Sequence, residues 1–144
     1  MTVAQILNAK GRAVVTAGPA DTVLAVAQVL ATRKIGAVVI VDAQGRIGGI
    51  VSERDIVRAV AAGGAQALEQ SVKDFMTAKV KTCGPRDTEA ELMSLMTEHR
   101  VRHLPVVEAG KLGGMISIGD VVKHRIEAIE REAEDMKSYI ASSG

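Results

Sequence analysis

The sequence predicts a mixed α/β fold made of two pseudo-twofold-related copies of one small unit, each a three-stranded mixed sheet with helices on one face, followed by a long C-terminal helix. Three observations predict it. Gly48-Gly49-Ile50-Val51-Ser52-Glu53-Arg54-Asp55-Ile56-Val57 returns as Gly113-Gly114-Met115-Ile116-Ser117-Ile118-Gly119-Asp120-Val121-Val122, an apolar run that ends in a Ser-x-x-Asp corner. Thr16-Ala17-Gly18-Pro19-Ala20-Asp21-Thr22 matches Thr82-Cys83-Gly84-Pro85-Arg86-Asp87-Thr88, and the leading segment from Thr2 to Leu7 aligns with Ser71 to Met76. From Val122 onward, apolar residues recur at helical spacing. Two copies, rather than an array, set the architecture.

Within each copy the elements follow from local pattern. A first strand is expected at Ala13 to Thr16 and at Lys79 to Thr82. Asp21 or Thr22 can cap a helix whose apolar face carries Val26, Ala27 and Leu30, and Thr88 with Glu91 caps one carrying Leu92, Met93 and Met96. The β-branched run Ala37 to Val41, or His103 to Val107, leads through a short glycine turn to Arg46–Val51 or Lys111–Ile116. So short a turn makes these two strands antiparallel, whereas the crossover helix makes the first strand parallel to its neighbour. A second helix starts at Ser52 or Ser117. The expected boundaries are 1–66 for the first repeat, 67–125 for the second and 126–144 for the terminal helix, with Gly63-Gly64 at the joint.

Composition narrows the function. The 144 residues are 47% hydrophobic and 24% charged, with a formal charge of +1 and 1% aromatic residues, so neither nucleic acid nor disorder is expected. No apolar run approaches the roughly 18 residues of a membrane span, and the first residues lack a basic, apolar leader. A lone cysteine, Cys83, reads as a small buried residue, and with these features the expected location is cytoplasmic.

Arg100-Val101-Arg102-His103-Leu104-Pro105-Val106-Val107, together with both glycine-strand Ser-x-x-Asp corners, resembles a tandem pair of cystathionine β-synthase (CBS) domains, the Bateman module, over about Thr2 to Arg125. The resemblance implies a regulatory module that is not an enzyme. It binds adenosine compounds such as AMP, ATP, NAD(H) or S-adenosylmethionine in clefts between the repeats, forms homodimers, and signals to a separate effector protein. It needs no catalytic cofactor. Carboxylates of Asp55 and Asp120, in the first turn of a helix, can accept both hydroxyls of a ribose, with Ser52 and Ser117 beside them. By resemblance the adenine slots are Val15, Thr16, Ala37 and Val38 in one copy, and Lys81, Thr82, His103, Leu104 and Pro105 in the other. Arg54 is a candidate phosphate contact because guanidinium pairs with phosphate oxygens, joined by Lys34, Arg100, Arg102, Lys123 and Arg125.

A competing reading treats Ser-x-x-Asp as a plain capping box that needs no ligand, and the chain then serves as a dimerisation or interaction module with vestigial sites. The glycine pairs argue for close approach of a ligand or another backbone. The copies diverge where Glu53-Arg54 faces Ile118-Gly119 and where Val39 faces Pro105, so unequal sites are expected. His99 and His103 straddle a helix end and do not suggest helical zinc geometry, and motifs for nucleophilic or phosphate-loop chemistry are absent. In the tail, Val122, Ile126, Ile129, Ala133, Met136 and Ile140 form a heptad-like seam suited to a second subunit.

Overall fold

A computed structural model describes residues 1–143. Helix α1 (Val3–Lys10) opens the chain with a complete capping box between Thr2 and Gln5. The first repeat follows as β1 (Thr16–Ala17), α2 (Val23–Arg33), β2 (Ala37–Val41), β3 (Ile47–Ser52) and α3 (Glu53–Gly63). Two 3₁₀ turns, Gly64–Glu69 and Val72–Asp74, lead to the second: α4 (Glu89–His99), β4 (His103–Glu108), β5 (Lys111–Ser117) and α5 (Ile118–Ser143). The order β1-β2-β3, parallel then antiparallel, is the one that the turn lengths require.

The two copies use the same local chemistry. Thr22 and Thr88 cap α2 and α4 by accepting the N–H of Ala25 and of Glu91 at 3.1 and 3.2 Å. Both helices end on a non-glycine residue in the left-handed region, Lys34 and Arg100, each with φ 54°. The hairpins differ where a residue was lost. β4 and β5 are joined by Ala109-Gly110, both at positive φ (52° and 76°), a two-residue turn whose twist suits a hairpin. In the longer first turn, Asp42 Oδ1 accepts the N–H groups of Gln44 and Arg46, both at 2.9 Å.

The leading segments are exchanged between the repeats. Val3, Ile6 and Leu7 of α1 lie in the second core with Leu92, Leu104, Ile116 and Val121, while Val72 and Met76 lie in or against the first core with Val26, Val38, Ile40 and Val51. Reciprocal hydrogen bonds display the pseudo-twofold. Val3 N–H donates to Asp87 O as Val72 N–H donates to Asp21 O, and Glu89 N–H to Met1 O as Val23 N–H to Gln70 O. The exchange also accounts for the second glycine of each pair. A Cβ on Gly49 would stand 2.5 Å from Met76 Sδ, and one on Gly114 2.7 Å from Leu7 Cδ2. The glycines therefore admit the exchanged segment, not a ligand.

The expected third strand of the second sheet is reduced to one parallel bridge, Cys83 to Val106, beside a two-stranded β4–β5 ladder. The reason is a proline. In the first copy Val39 N–H donates to Val15 O at 3.3 Å. At the matching positions Pro105 has no N–H to offer Lys81, so pairing begins only at Cys83, whose N–H reaches Pro105 O at 3.0 Å. Cys83 is buried, and burial together with the Asp87 carboxylate pushes its thiol up to about 12. The first strand likewise sits later than expected, at Thr16–Ala17.

Candidate functional site

Where the repeats meet, a cleft of about 680 Å³ opens between the first Ser-x-x-Asp corner, Thr77 with Lys79–Lys81, Gly36-Ala37 and Arg100–His103. Each wall has a structural cause. Ser52 ends β3 and caps α3, so the corner sits where a strand delivers the chain to a helix N-terminus. Lys79, Val80 and Lys81 lie outside any strand, as their counterparts Ala13, Val14 and Val15 do in the first copy, and face the cleft. Arg100 turns the chain in its left-handed cap and thereby brings Arg102 and His103 to the rim.

The first corner is a closed capping box that retains spare capacity. Asp55 Oδ2 accepts the Ser52 N–H at 2.8 Å and the Ser52 hydroxyl at 3.1 Å, and Ser52 Oγ accepts the Asp55 N–H at 3.4 Å. Among the described residues, no donor reaches Oδ1. The capping reading and the ligand reading thus use different oxygens of one carboxylate and can both hold.

The second corner has the same box, with Asp120 Oδ2 accepting the Ser117 N–H at 2.9 Å and its hydroxyl at 3.0 Å. It also has a further partner. Lys10, at the end of the exchanged α1, places Nζ 2.6 Å from Asp120 Oδ2 and donates to Met115 O at 2.9 Å. Burial pushes the Asp120 carboxyl upward, but the hydrogen bond and charge of Lys10, with the Ser117 donors, outweigh it and hold the group below its ordinary value.

His103 sits between the corners. Its ring lies so close to Gly36 that a Cβ there would be 3.0 Å from Cε1. Burial lowers its pKa, Glu53 and Asp120 oppose the shift, and Lys10 and Arg102 add to it. The imidazole is neutral at pH 7, able to donate from one nitrogen and accept at the other.

Of the residues singled out by sequence, the cleft gathers Ser52, Asp55, Ser117, Ala37, Lys81, His103, Arg54, Arg100 and Arg102. Elsewhere, Val38 and Leu104 are fully buried core residues, Val15 packs against the first core, and Pro105 is buried in β4. Thr16, Thr82, Lys34 and Lys123 are exposed away from the cleft lining, Arg125 Nη1 lies 3.8 Å from Glu89 Oε1, and Asp120 is held by Lys10. Sequence reasoning missed Arg58, Lys79 and Lys10. The two lysines were legible as a matched pair, because the alignment of Thr2 with Ser71 carries Lys10 onto Lys79. In all, six basic side chains (Arg54, Arg58, Lys79, Lys81, Arg100, Arg102) and two carboxylates (Glu53, Asp55) line the cleft. That imbalance favours an anionic occupant.

Residues 4–62 and 72–127 each match the CBS domain, and the chain belongs to the CBS-domain family. It is 31% identical to a mitochondrial CBS domain-containing protein of Arabidopsis thaliana over 96% of this chain and 71% of that one. Among solved structures it resembles a CBS-domain containing protein of Agrobacterium tumefaciens, with 50% identity and a TM-score of 0.85 over 87% of this chain and 99% of that one. It also resembles a CBS domain protein of Pyrobaculum aerophilum complexed with AMP, with 29% identity and a TM-score of 0.75 over 83% and 89% of the two chains. Among the described residues, no helix is long and apolar enough to cross a membrane.

Proposed function

We propose that the chain is a non-catalytic regulatory module that takes an adenosine nucleotide in the cleft at the Asp55 corner and passes the resulting change to a partner protein. The observation that carries this reading is the juxtaposition of a capping carboxylate with a spare oxygen and a basic wall. Asp55 Oδ1 with Ser52 suits ribose hydroxyls, and Lys79, Lys81, Arg54, Arg100 and Arg102 suit phosphates. The AMP complex of the Pyrobaculum relative supports an adenosine ligand for this fold. Neutral His103 and the backbone at Gly36-Ala37 offer hydrogen-bonding edges for a base.

The charge of the cleft ranks ligands. ATP and NAD(H), with more than one phosphate, should bind more tightly than AMP, and S-adenosylmethionine, which carries a sulfonium cation, more weakly. A thermal-shift panel with AMP, ATP, NAD, NADH and S-adenosylmethionine tests the assignment. Ligand at a hundredfold excess over Kd adds about 2.7 kcal/mol, which for a chain of this size raises Tm by roughly 5–10 °C. Unchanged melting with every member of the panel would sink the reading.

A specific observation also favours association. Val122, Ile126, Ile129 and Met136 are exposed on α5, whereas Val121 and His124 point inward, so the seam faces away from its own repeat. Exposed Val57 and Val60 on α3 add a second apolar face. We assign these faces to contact with another copy of the chain, and a homodimer and a ligand site are compatible.

A further inference from the structure

We propose that Lys10 is a tethered cation that closes the second corner, so that the chain takes a nucleotide at the Asp55 corner and admits another at the Asp120 corner only when Lys10 is displaced. The proposal rests on the nucleotide reading above and makes its two corners unequal in a defined way.

Duplication supplies the comparison. Lys10 and Lys79 occupy the same place in the exchanged leading segments, three residues after Leu7 and Met76. Lys79 lines the open cleft and makes no ion pair with Asp55 among the described residues. Lys10 instead reaches across its corner. Its ammonium binds Asp120 Oδ2 at 2.6 Å and Met115 O at 2.9 Å, and so links the carboxylate to the strand that delivers it. Three donors then converge on Asp120 Oδ2, where Asp55 Oδ2 has the two from Ser52. The cleft reflects this. Ser117, Ile118 and Gly119 reach its lining, while Asp120 does not.

Among the described residues, Lys10 shares Asp120 Oδ2 with the cap and leaves Oδ1 without a donor, as Asp55 Oδ1 is, so the ammonium closes the corner by standing beside the carboxylate and neutralising it rather than by taking that oxygen. The pair is partly open to solvent, with side-chain exposures of 34% for Lys10 and 20% for Asp120. Such a contact has a modest free energy, so Lys10 acts as a gate that a substitution can open.

Calorimetric stoichiometry with ATP tests the gate on four forms: wild type, Lys10→Ala, Lys10→Met, which keeps the apolar stem, and Lys10→Ala/Asp120→Ala. The expected result is one nucleotide per wild-type chain, two for either single Lys10 variant, and one again for the double variant. Melting curves confirm that each form is folded. The gate is overturned if wild type already binds two, if both Lys10 variants stay at one, or if they lose the wild-type site, which would make Lys10 a ligand contact. Silence from all four forms overturns the nucleotide reading itself, a different outcome from a fixed stoichiometry of one.

Discussion

Asp55 and Asp120 stand at the same position in two copies of one sequence, and their surroundings give them different duties. Asp55→Ala removes an acceptor of charge-assisted hydrogen bonds worth about 1.5–3 kcal/mol each, so nucleotide affinity should fall at least roughly tenfold. For Asp120 the consequence lies in stability. Its pKa in the fold is depressed, so the contribution of its ion pair is present above the ordinary value of 3.8 and is lost as pH falls through the folded value. Denaturation at several pH values should show wild type ahead of Lys10→Met by up to about 1 kcal/mol at neutral pH, with the gap closing under acid. A constant gap would show that the ion pair is not its source. Gly49→Ala should destabilise by about 1–3 kcal/mol, because its Cβ would meet Met76 Sδ at 2.5 Å and the Thr77 carbonyl at 3.0 Å. A denaturation midpoint equal to wild type would contradict that packing.

At the scale of elements, the pattern of helices and antiparallel hairpins was legible because it follows from capping residues, β-branched runs and short glycine turns. The exchange of α1 and the Val72–Met76 segment was not legible, although their alignment was. Periodicity marks Ile6 and Leu7 as core residues but does not say whose core. Pro105 was visible as a difference from Val39, yet its effect appears only once Val39 N–H is seen bonded to Val15 O and the matching bond is found missing. That single lost donor removes at Thr82 the pairing that Thr16 makes with Val39 in the first copy. The exchange has a measurable consequence. Leu7→Ala, in an N-terminal helix, should cost about 2–5 kcal/mol by emptying part of the second core. If truncating Leu7 left stability unchanged, α1 would not be holding the second repeat together.

For the molecule as a whole, the duplication explains both the cleft and its asymmetry. Two units that exchange their leading segments bury a shared boundary, and the corners at that boundary have different residues around them. Six basic groups against two carboxylates imply that phosphate binding weakens with salt, since the Debye length shrinks from about 10 Å at 0.1 M to about 3 Å at 1 M. The cleft-lining residues legible from sequence were those near the corners and the rim, Ser52, Asp55, Arg54, Arg102 and His103. The adenine-slot candidates Val38 and Leu104 looked no different from core residues in sequence, and in the fold they are core residues. The terminal helix extends the account beyond one chain. Residues 129–142 of α5 are all exposed, and removing residues 127–144 should shift the mass measured by light scattering at low concentration toward the monomer. An unchanged mass would assign dimer contacts elsewhere.

The central claim, an adenosine nucleotide held at the Asp55 corner, is tested most directly by calorimetric titration of wild type and Asp55→Ala with ATP under identical buffer. The account predicts saturable binding to wild type and at least roughly tenfold weaker binding to the variant. Equal affinities, with both proteins folded, would contradict it.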